Sequence, residues 1–341
     1  MPDDVLIIHN SVEQAAAGKG GYAFSESNAG LMEEVRAVVE AIEKLGIKCH
    51  ISSIERLDQL PEVLSDNEQK IIFNLVEELP ANILDACYVP SICYAYGRAC
   101  TGNGTAALML AQNKWQAKAI LEAAGVPSPK SAVAAVGDKI QAGKLPKGKY
   151  IVKPVFSDAS EGIDADSIVD FPGRALTAAI DRIHNNFNQP AIVEQFIPDR
   201  ELNVSVIERN GQVEVLPIAE IDFSAFSANS HRIVDYSAKW HSDSFAYNNT
   251  PRILPAALSE EAAGLVRQYA IAAWKAVGCQ DYARVDFRMD DKERPFVIEI
   301  NPNPDISADA GFAAAINAAG ISYEQFVESM LENAKKRLGR I

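Results

Sequence analysis

Short apolar runs recur along the first third of the chain: "VLIIHN" at 5–10, "KCHIS" at 48–52 and "IIFNL" at 71–75. Between the first two stands "GLMEEVRAVVEAIEKLG", whose apolar positions return every three or four residues, as on one face of a helix. Apolar strands alternating with helical pattern predict a parallel sheet with crossover helices, Rossmann-like in style. No G-x-G-x-x-G follows the first strand, so a dinucleotide site would lack its phosphate cradle, and "GKGGYAF" at 18–24 reads as a connecting loop. A helix is expected from about Lys114 to Ala124, stopped by Gly125 and Pro127. Beyond it, "KYIVKPVFSDASEGI" reads as two strands joined by a polar flap. From "AIVEQFIPDRELNVSVIERNG" onward, strands come first and helical pattern last. These changes divide the chain into units at 1–112, 113–190 and 191–341.

The last strand pair carries unexpected side chains. In "ARVDFRMDDKERPFVIEINPNPDIS", residues 283–307, Asp286, Glu299 and Asn301 interrupt runs that otherwise suit a sheet. Side chains alternate along a strand, so Arg284 and Asp286 share a face, as do Glu299 and Asn301, with Phe296, Ile298 and Ile300 opposite. A turn centred in "MDDKERP" pairs Asp286 with Glu299 and Arg284 with Asn301. Carboxylates that close repel unless a cation lies between them or one is protonated. Their hard oxygens, with the amide oxygen of Asn301, suit Mg²⁺, which binds through one or two carboxylates and completes its shell with water and phosphate. Arg284 could fork onto a phosphate or a carboxylate. A hairpin with one solvated face is the alternative. Lys153, ending an apolar strand, and Lys114, opening a helix, are placed to meet an anion, though each taken singly also suits a protein surface.

Composition narrows the choice of partner. The chain has 341 residues, 48% of them hydrophobic, enough for more than one core. Its 46 Asp and Glu exceed its 32 Lys and Arg, giving a formal charge of −14 that disfavours nucleic acid and anionic membranes as partners. No apolar run reaches the roughly 18 residues of a membrane span and no basic leader opens the sequence, so a cytoplasmic protein is expected. Five cysteines without a C-x-x-C pair argue against a zinc site or a disulfide framework.

In order and spacing, "CTGNG", "GVPSPK", "YIVKP", "IVEQFI" with "RELNVSVI", "DYSAKW", "ARVDF" and "VIEINPNPDIS" resemble the ATP-grasp superfamily, and within it the D-alanine–D-alanine ligase family. The resemblance implies an α/β protein of three domains: an N-terminal Rossmann-like parallel sheet followed by two α+β ATP-grasp subdomains. It implies ATP and Mg²⁺, or Mn²⁺ in its place, and a reaction in which a carboxylate is activated as an acyl phosphate and attacked by an amine. By resemblance Lys114 and Lys153 contact ATP phosphates, with Ser160 on the flap above them. Glu194 with the backbone at Phe196 and Ile197 holds adenine, Ile298 packs against the nucleotide and Glu201 binds ribose. Lys239 reaches the γ-phosphate and Arg284 steadies the reacting groups, while Asp286, Glu299 and Asn301 are the magnesium ligands. Small amino-acid-like substrates and a homodimer complete what the family implies.

The chain departs from its family on the substrate side. The glycine-rich end of the first strand and the Gly-Glu-Asp-Gly segment after the third are absent; "HNSVEQAAAGKGGYAFSESNAG" and "LVEELPANILDACYVPS" stand there. The flap reads Ser157, Asp158, Ala159, Ser160, Glu161, Gly162. Trp240 replaces a usual tyrosine, and Asn301 is followed by Pro302, Asn303, Pro304 and Asp305, then Ala308 and Ala310. Asp158, Glu161, Trp240, Asp305 and Asp309 thus line the expected substrate side, where the acids favour a substrate with an added positive charge, Asp305 being its first contact. Solvated loop acids are the alternative. Three readings follow: a ligase for substrates other than a plain D-alanine pair, a divergent D-alanine–D-alanine ligase, or an ATP-binding regulator without activity.

Overall fold

The computed structural model describes residues 2, 4–11, 23–140, 145–157, 160–227 and 230–339. Its first unit holds β1 (Asp4–Asn10), α1 (Ala23–Lys44), β2 (Lys48–Ile54), α2 (Leu60–Asp66), β3 (Ile71–Leu75), α3 (Val89–Ala95), β4 (Ala99–Cys100) and α4 (Thr105–Gln112). The strands form an all-parallel sheet in the order β2-β1-β3-β4. Because β1 is covered on both faces, its residues are apolar without alternation: Val5 and Ile7 pack under α1, while Leu6 and Ile8 meet α2 and α3.

The second sheet is antiparallel, β5 (Ser131–Ala134), β8 (Ala191–Gln195), β6 (Gly148–Pro154) and β7 (Ile168–Phe171) in that order, with α5 (Lys114–Ala123) before it and α6 (Arg174–Phe187) on one face. Asn113 caps α5 by accepting from the Gln116 N–H, and Gly125, at φ +72°, ends the turn after it. Alternation on β6 sends Tyr150 and Val152 beneath α6 and Ile151 to the opposite face. The break expected at 190/191 falls before β8, yet β8 hydrogen-bonds to β5 and β6; the change of sheet lies at 196–199.

The third sheet runs β12 (Arg252–Ile253), β11 (Ala219–Ile221), β9 (Arg200–Arg209), β13 (Tyr282–Met289) and β14 (Pro295–Asn301), with β10 (Gln212–Val215) beside β9. Short helices α7 (Tyr236–Trp240) and α8 (Phe245–Asn248) precede β12, and α9 (Glu260–Val277) covers one face, where Leu202, Val204, Val285 and Phe287 meet Val266, Ala270 and Trp274. The other face of β9 and β13 looks into the cleft against the second sheet. Finally α10 (Gly311–Ala318) and α11 (Tyr323–Leu338) return to the first sheet: Phe326, Met330 and Leu331 share a core with Val5, Ile7 and Phe73. All five cysteines are free thiols, and among the described residues no helix is long and apolar enough to cross a membrane.

Candidate active site

The hairpin β13–β14 has the register that alternation requires, Arg284 opposite Asn301 and Asp286 opposite Glu299. One detail differs. A bulge after Asp286 pairs Phe287 with Val297 and leaves Ile298 as the extra residue, so Ile298 does not join Ile300 in the core. Val297 and Ile300 are buried under α9, whereas Ile298 and Glu299 both line the cleft.

The acids of the hairpin are neutralised by side chains. Asp286 accepts a bidentate pair from Arg284, Nε at 2.7 Å and Nη2 at 2.9 Å, and a third bond from Asn203 Nδ2 at 2.9 Å. Glu299 lies 3.1 Å from Lys114 Nζ, which also donates to the Ser157 carbonyl. Burial alone would push the Glu299 carboxyl up, but Lys114, Lys239 and Lys153 outweigh it and hold the group at about 2. The Asn301 amide oxygen accepts from the Asn303 N–H at 2.8 Å.

Across the cleft, Glu194 on β8 is almost fully buried between two ammonium groups, Lys153 Nζ at 3.1 Å and Lys118 Nζ on α5. Its burial works against ionisation, and the two lysines reverse that, holding the carboxyl below its ordinary range. The chain then leaves the second sheet through Phe196, whose N–H bonds to the Lys149 carbonyl, and Ile197, whose carbonyl accepts from Arg288 Nε at 2.8 Å. Arg288 also donates to the Pro198 and Arg232 carbonyls and to Glu201 at 2.9 Å, and it lies over the Phe196 ring at 5.4 Å. Ser160, at φ +62°, fastens the flap to the opposite wall through the Val234 carbonyl at 2.8 Å. The resulting cavity has apolar walls from Ile151, Ile163, Ile233 and Ile298 and a charged end at Lys239, Arg284, Asp286 and Glu299. Glu201 and Lys153 line it as well.

A second cavity opens from that charged end, sharing Lys239, Arg284 and Glu299 with the first. Lys114, Trp240, Asn301, Asp305 and Asp309 stand in its walls, facing Glu77 and Glu78 from the segment after β3. The site residues expected from the sequence therefore fall into two connected spaces. Glu161 lines neither, being exposed on the flap, and Asp158 lies outside the described residues. Behind the second cavity, Glu34 of α1 is 3% exposed and accepts from the Ile306 N–H at 3.0 Å. Burial, then Glu77, raise its carboxyl well above the ordinary range; the Ile306 bond opposes them and Asp305 adds to them.

Several residues of this site escape a linear reading. Arg288 continues the Arg284, Asp286 alternation on one strand, a signal present in "ARVDFR". Lys118, four residues after Lys114, follows helical spacing. Asn203 sits opposite Asp286 only through the pairing of β9 with β13, to which the sequence gives no local clue; the same pairing sets Glu201, expected from the resemblance, opposite Arg288. Asn103, in "CTGNG", donates to the Tyr282 and Pro302 carbonyls and so fixes the segment that follows Asn301.

Comparison with known proteins places this geometry. A family model described as D-ala D-ala ligase C-terminus matches residues 129–332. An uncharacterized protein, y4sG, of Sinorhizobium fredii is 30% identical over 268 residues, covering 78% of this chain and 75% of its own. The D-alanine–D-alanine ligase of Carboxydothermus hydrogenoformans is 33% identical over 242 residues, covering 68% of this chain and 71% of its own. The D-alanine–D-alanine ligase of Bacillus anthracis solved in complex with ATP has the same fold, with a TM-score of 0.74 over 99% of both chains at 17% identity.

Proposed function

Because the chain belongs to the D-alanine–D-alanine ligase family of ATP-grasp enzymes, we propose that it joins a carboxylate to an amine at the expense of ATP, on small amino-acid-like substrates other than a plain pair of D-alanines. The observation that carries this reading is the meeting of an apolar, lysine-rimmed cleft with a second polar cavity at Lys239, Arg284 and Glu299. A nucleotide in the first space would put its terminal phosphate where the second space begins.

In this reading Ile151, Ile163, Ile233 and Ile298 sandwich the adenine, with the strand at Phe196 and Ile197 along its edge and Glu201 at the ribose. Glu194 lines the same space on the adenine side and also holds Lys153 and Lys118 in place, while Lys114 and Lys153 draw in the phosphates and Ser160 keeps the flap across them. Two carboxylates and an amide oxygen on adjacent strands are a donor set that fits Mg²⁺, so Asp286, Glu299 and Asn301 would hold it. Bound there, the ion offsets charge on the transferring phosphoryl group. The first step forms a bond from a substrate carboxylate oxygen to the γ-phosphorus and breaks the bond to the β-phosphate oxygen, leaving ADP. The amine then attacks the acyl carbon, phosphate departs, and the amine loses a proton. Lys239 and Arg284 meet the negative charge on either side of both steps, and no protein nucleophile is needed.

The acids around the second cavity support a substrate bearing an extra positive charge, with Asp305 as its contact beside the Trp240 wall. A divergent D-alanine–D-alanine ligase is the second reading, favoured by the names of the relatives; a regulator without activity has no use for so full a set of phosphate-binding cations. A homodimer follows from the family resemblance and is checked by light scattering. One assay separates the readings: ADP release with D-alanine and with neutral and basic amino-acid pairs. We expect turnover with a basic member, weakened in Asp305→Asn and abolished in Glu299→Gln. Turnover with D-alanine alone, untouched by Asp305→Asn, selects the second reading. Full activity in Glu299→Gln at limiting Mg²⁺ removes the metal assignment.

A further inference from the structure

The cations of the third sheet mostly have carboxylate partners: Arg200 with Glu220, Arg284 with Asp286 and Arg288 with Glu201. Arg252 on the edge strand β12 differs. It stands in the wall of the second cavity, and among the described residues nothing accepts a hydrogen bond from its guanidinium and no carboxylate pairs with it. The nearest charges act from a distance, Arg284 repelling it and Asp309 attracting it. The guanidinium lies against Gly311, the first residue of α10, where a Cβ would come within 2.9 to 3.1 Å of it. A side chain at position 311 would crowd the guanidinium, so the glycine leaves it room beside the backbone, on the exposed rim of the cavity.

The cavity thus carries charges of both signs. Glu77 and Asp305 stand in its walls with Arg252 and the already engaged Arg284, and Glu34 lies close behind. An amino acid carries both complementary charges. We propose that Arg252 is a substrate-anchoring residue that takes a carboxylate of the amino-acid substrate in its fork, while the acids take the ammonium. This rests on the ligase reading above, and it adds to that reading a residue fixing which way round the substrate lies. A planar guanidinium meets a carboxylate through two parallel hydrogen bonds, which a lysine in its place reproduces only in part.

The test uses the full chain saturated with a non-hydrolysable ATP analogue and Mg²⁺, titrated calorimetrically with D-alanine, D-aspartate and D-lysine and with the carboxamide of each. The expected result is that at least one acid binds wild type about tenfold or more tightly than its carboxamide. Arg252→Ala should lose that preference by weakening the acid alone, and Arg252→Lys should recover part of it. Among the described residues the Arg252 side chain makes no hydrogen bond or ion pair, and its backbone pairing with β11 survives substitution; unchanged affinity for the nucleotide analogue verifies in each variant that the fold is kept. The proposal is overturned if no acid binds wild type better than its carboxamide, or if Arg252→Ala keeps the preference. Failure of the nucleotide analogue to bind wild type would instead overturn the ligase reading, so the two failures are distinct.

Discussion

Glu34 shows how much a single buried carboxyl can hide from a linear reading. In "LMEEVRAVVE" it and Glu33 look alike, two acids on the polar side of a helix, yet Glu33 is exposed while Glu34 is enclosed beneath the Ile306 backbone, 272 positions away in the chain. With its folded pKa raised, Glu34 binds a proton more tightly in the folded than in the unfolded chain. Stability from this group is therefore fully present below the unfolded value near pH 4 and is lost as pH climbs toward the folded pKa. Glutamine keeps an oxygen for the Ile306 N–H and cannot ionise. Glu34→Gln should match wild type near pH 4 and exceed it at pH 8 by about 1 kcal/mol or more, since one pKa unit is worth about 1.4 kcal/mol. Urea unfolding at the two pH values checks this. A variant no more stable than wild type at pH 8 would mean that the carboxyl carries no burden there.

Among the elements, β13 is the strand on which the sequence was most informative. Its alternation, with the turn in "MDDKERP", is enough to bring Arg284, Asp286, Glu299 and Asn301 to one place. The bulge on β14 was not legible, because "FVIEIN" has no glycine or proline to mark an extra residue; it is nonetheless what turns Ile298 toward the cleft beside Glu299. Arg288 was legible in principle as the next residue on the Arg284 face, but its partners belong to the crossing at 197–201 and to Arg232. Four acceptors converge on one guanidinium, and an ammonium has three protons to offer. Arg288→Lys should leave a buried carbonyl without a donor and loosen the strand at Phe196 and Ile197. The expected cost is about 1 to 3 kcal/mol in stability, with nucleotide affinity about tenfold or more weaker. Calorimetry with the ATP analogue, alongside thermal melts, measures both. Wild-type affinity in a destabilised variant would show that Arg288 braces the fold without shaping the nucleotide cleft.

For the whole molecule, the three sheets do not follow one another as self-contained stretches of chain. The last helix closes on the first sheet, and Phe326 is fully buried among Tyr282, Phe312 and the parallel strands. A helix pattern states that one face is apolar, not which sheet will receive it, so this return could not be read locally. Near the end of α11, Arg337 grips the fully buried Asp281 through two bonds of 2.8 and 2.6 Å and bonds the Cys100 carbonyl, while Asp281 receives the Gly102 N–H. First sheet, third sheet and terminal helix are therefore packed and hydrogen-bonded to one another, which makes a prediction about how the chain unfolds. Phe326→Ala should cost about 3 to 5 kcal/mol, as for other large buried aromatics. The three tryptophans, Trp115, Trp240 and Trp274, all lie outside residues 1–112 and report on the other two units. If the assembly is one body, tryptophan fluorescence and far-ultraviolet dichroism should shift together to lower denaturant in this variant, in a single transition. A dichroism curve that splits while the fluorescence midpoint stays at its wild-type position would mean that the first sheet and its borrowed helix unfold on their own. The cleft would then be built by two units rather than three.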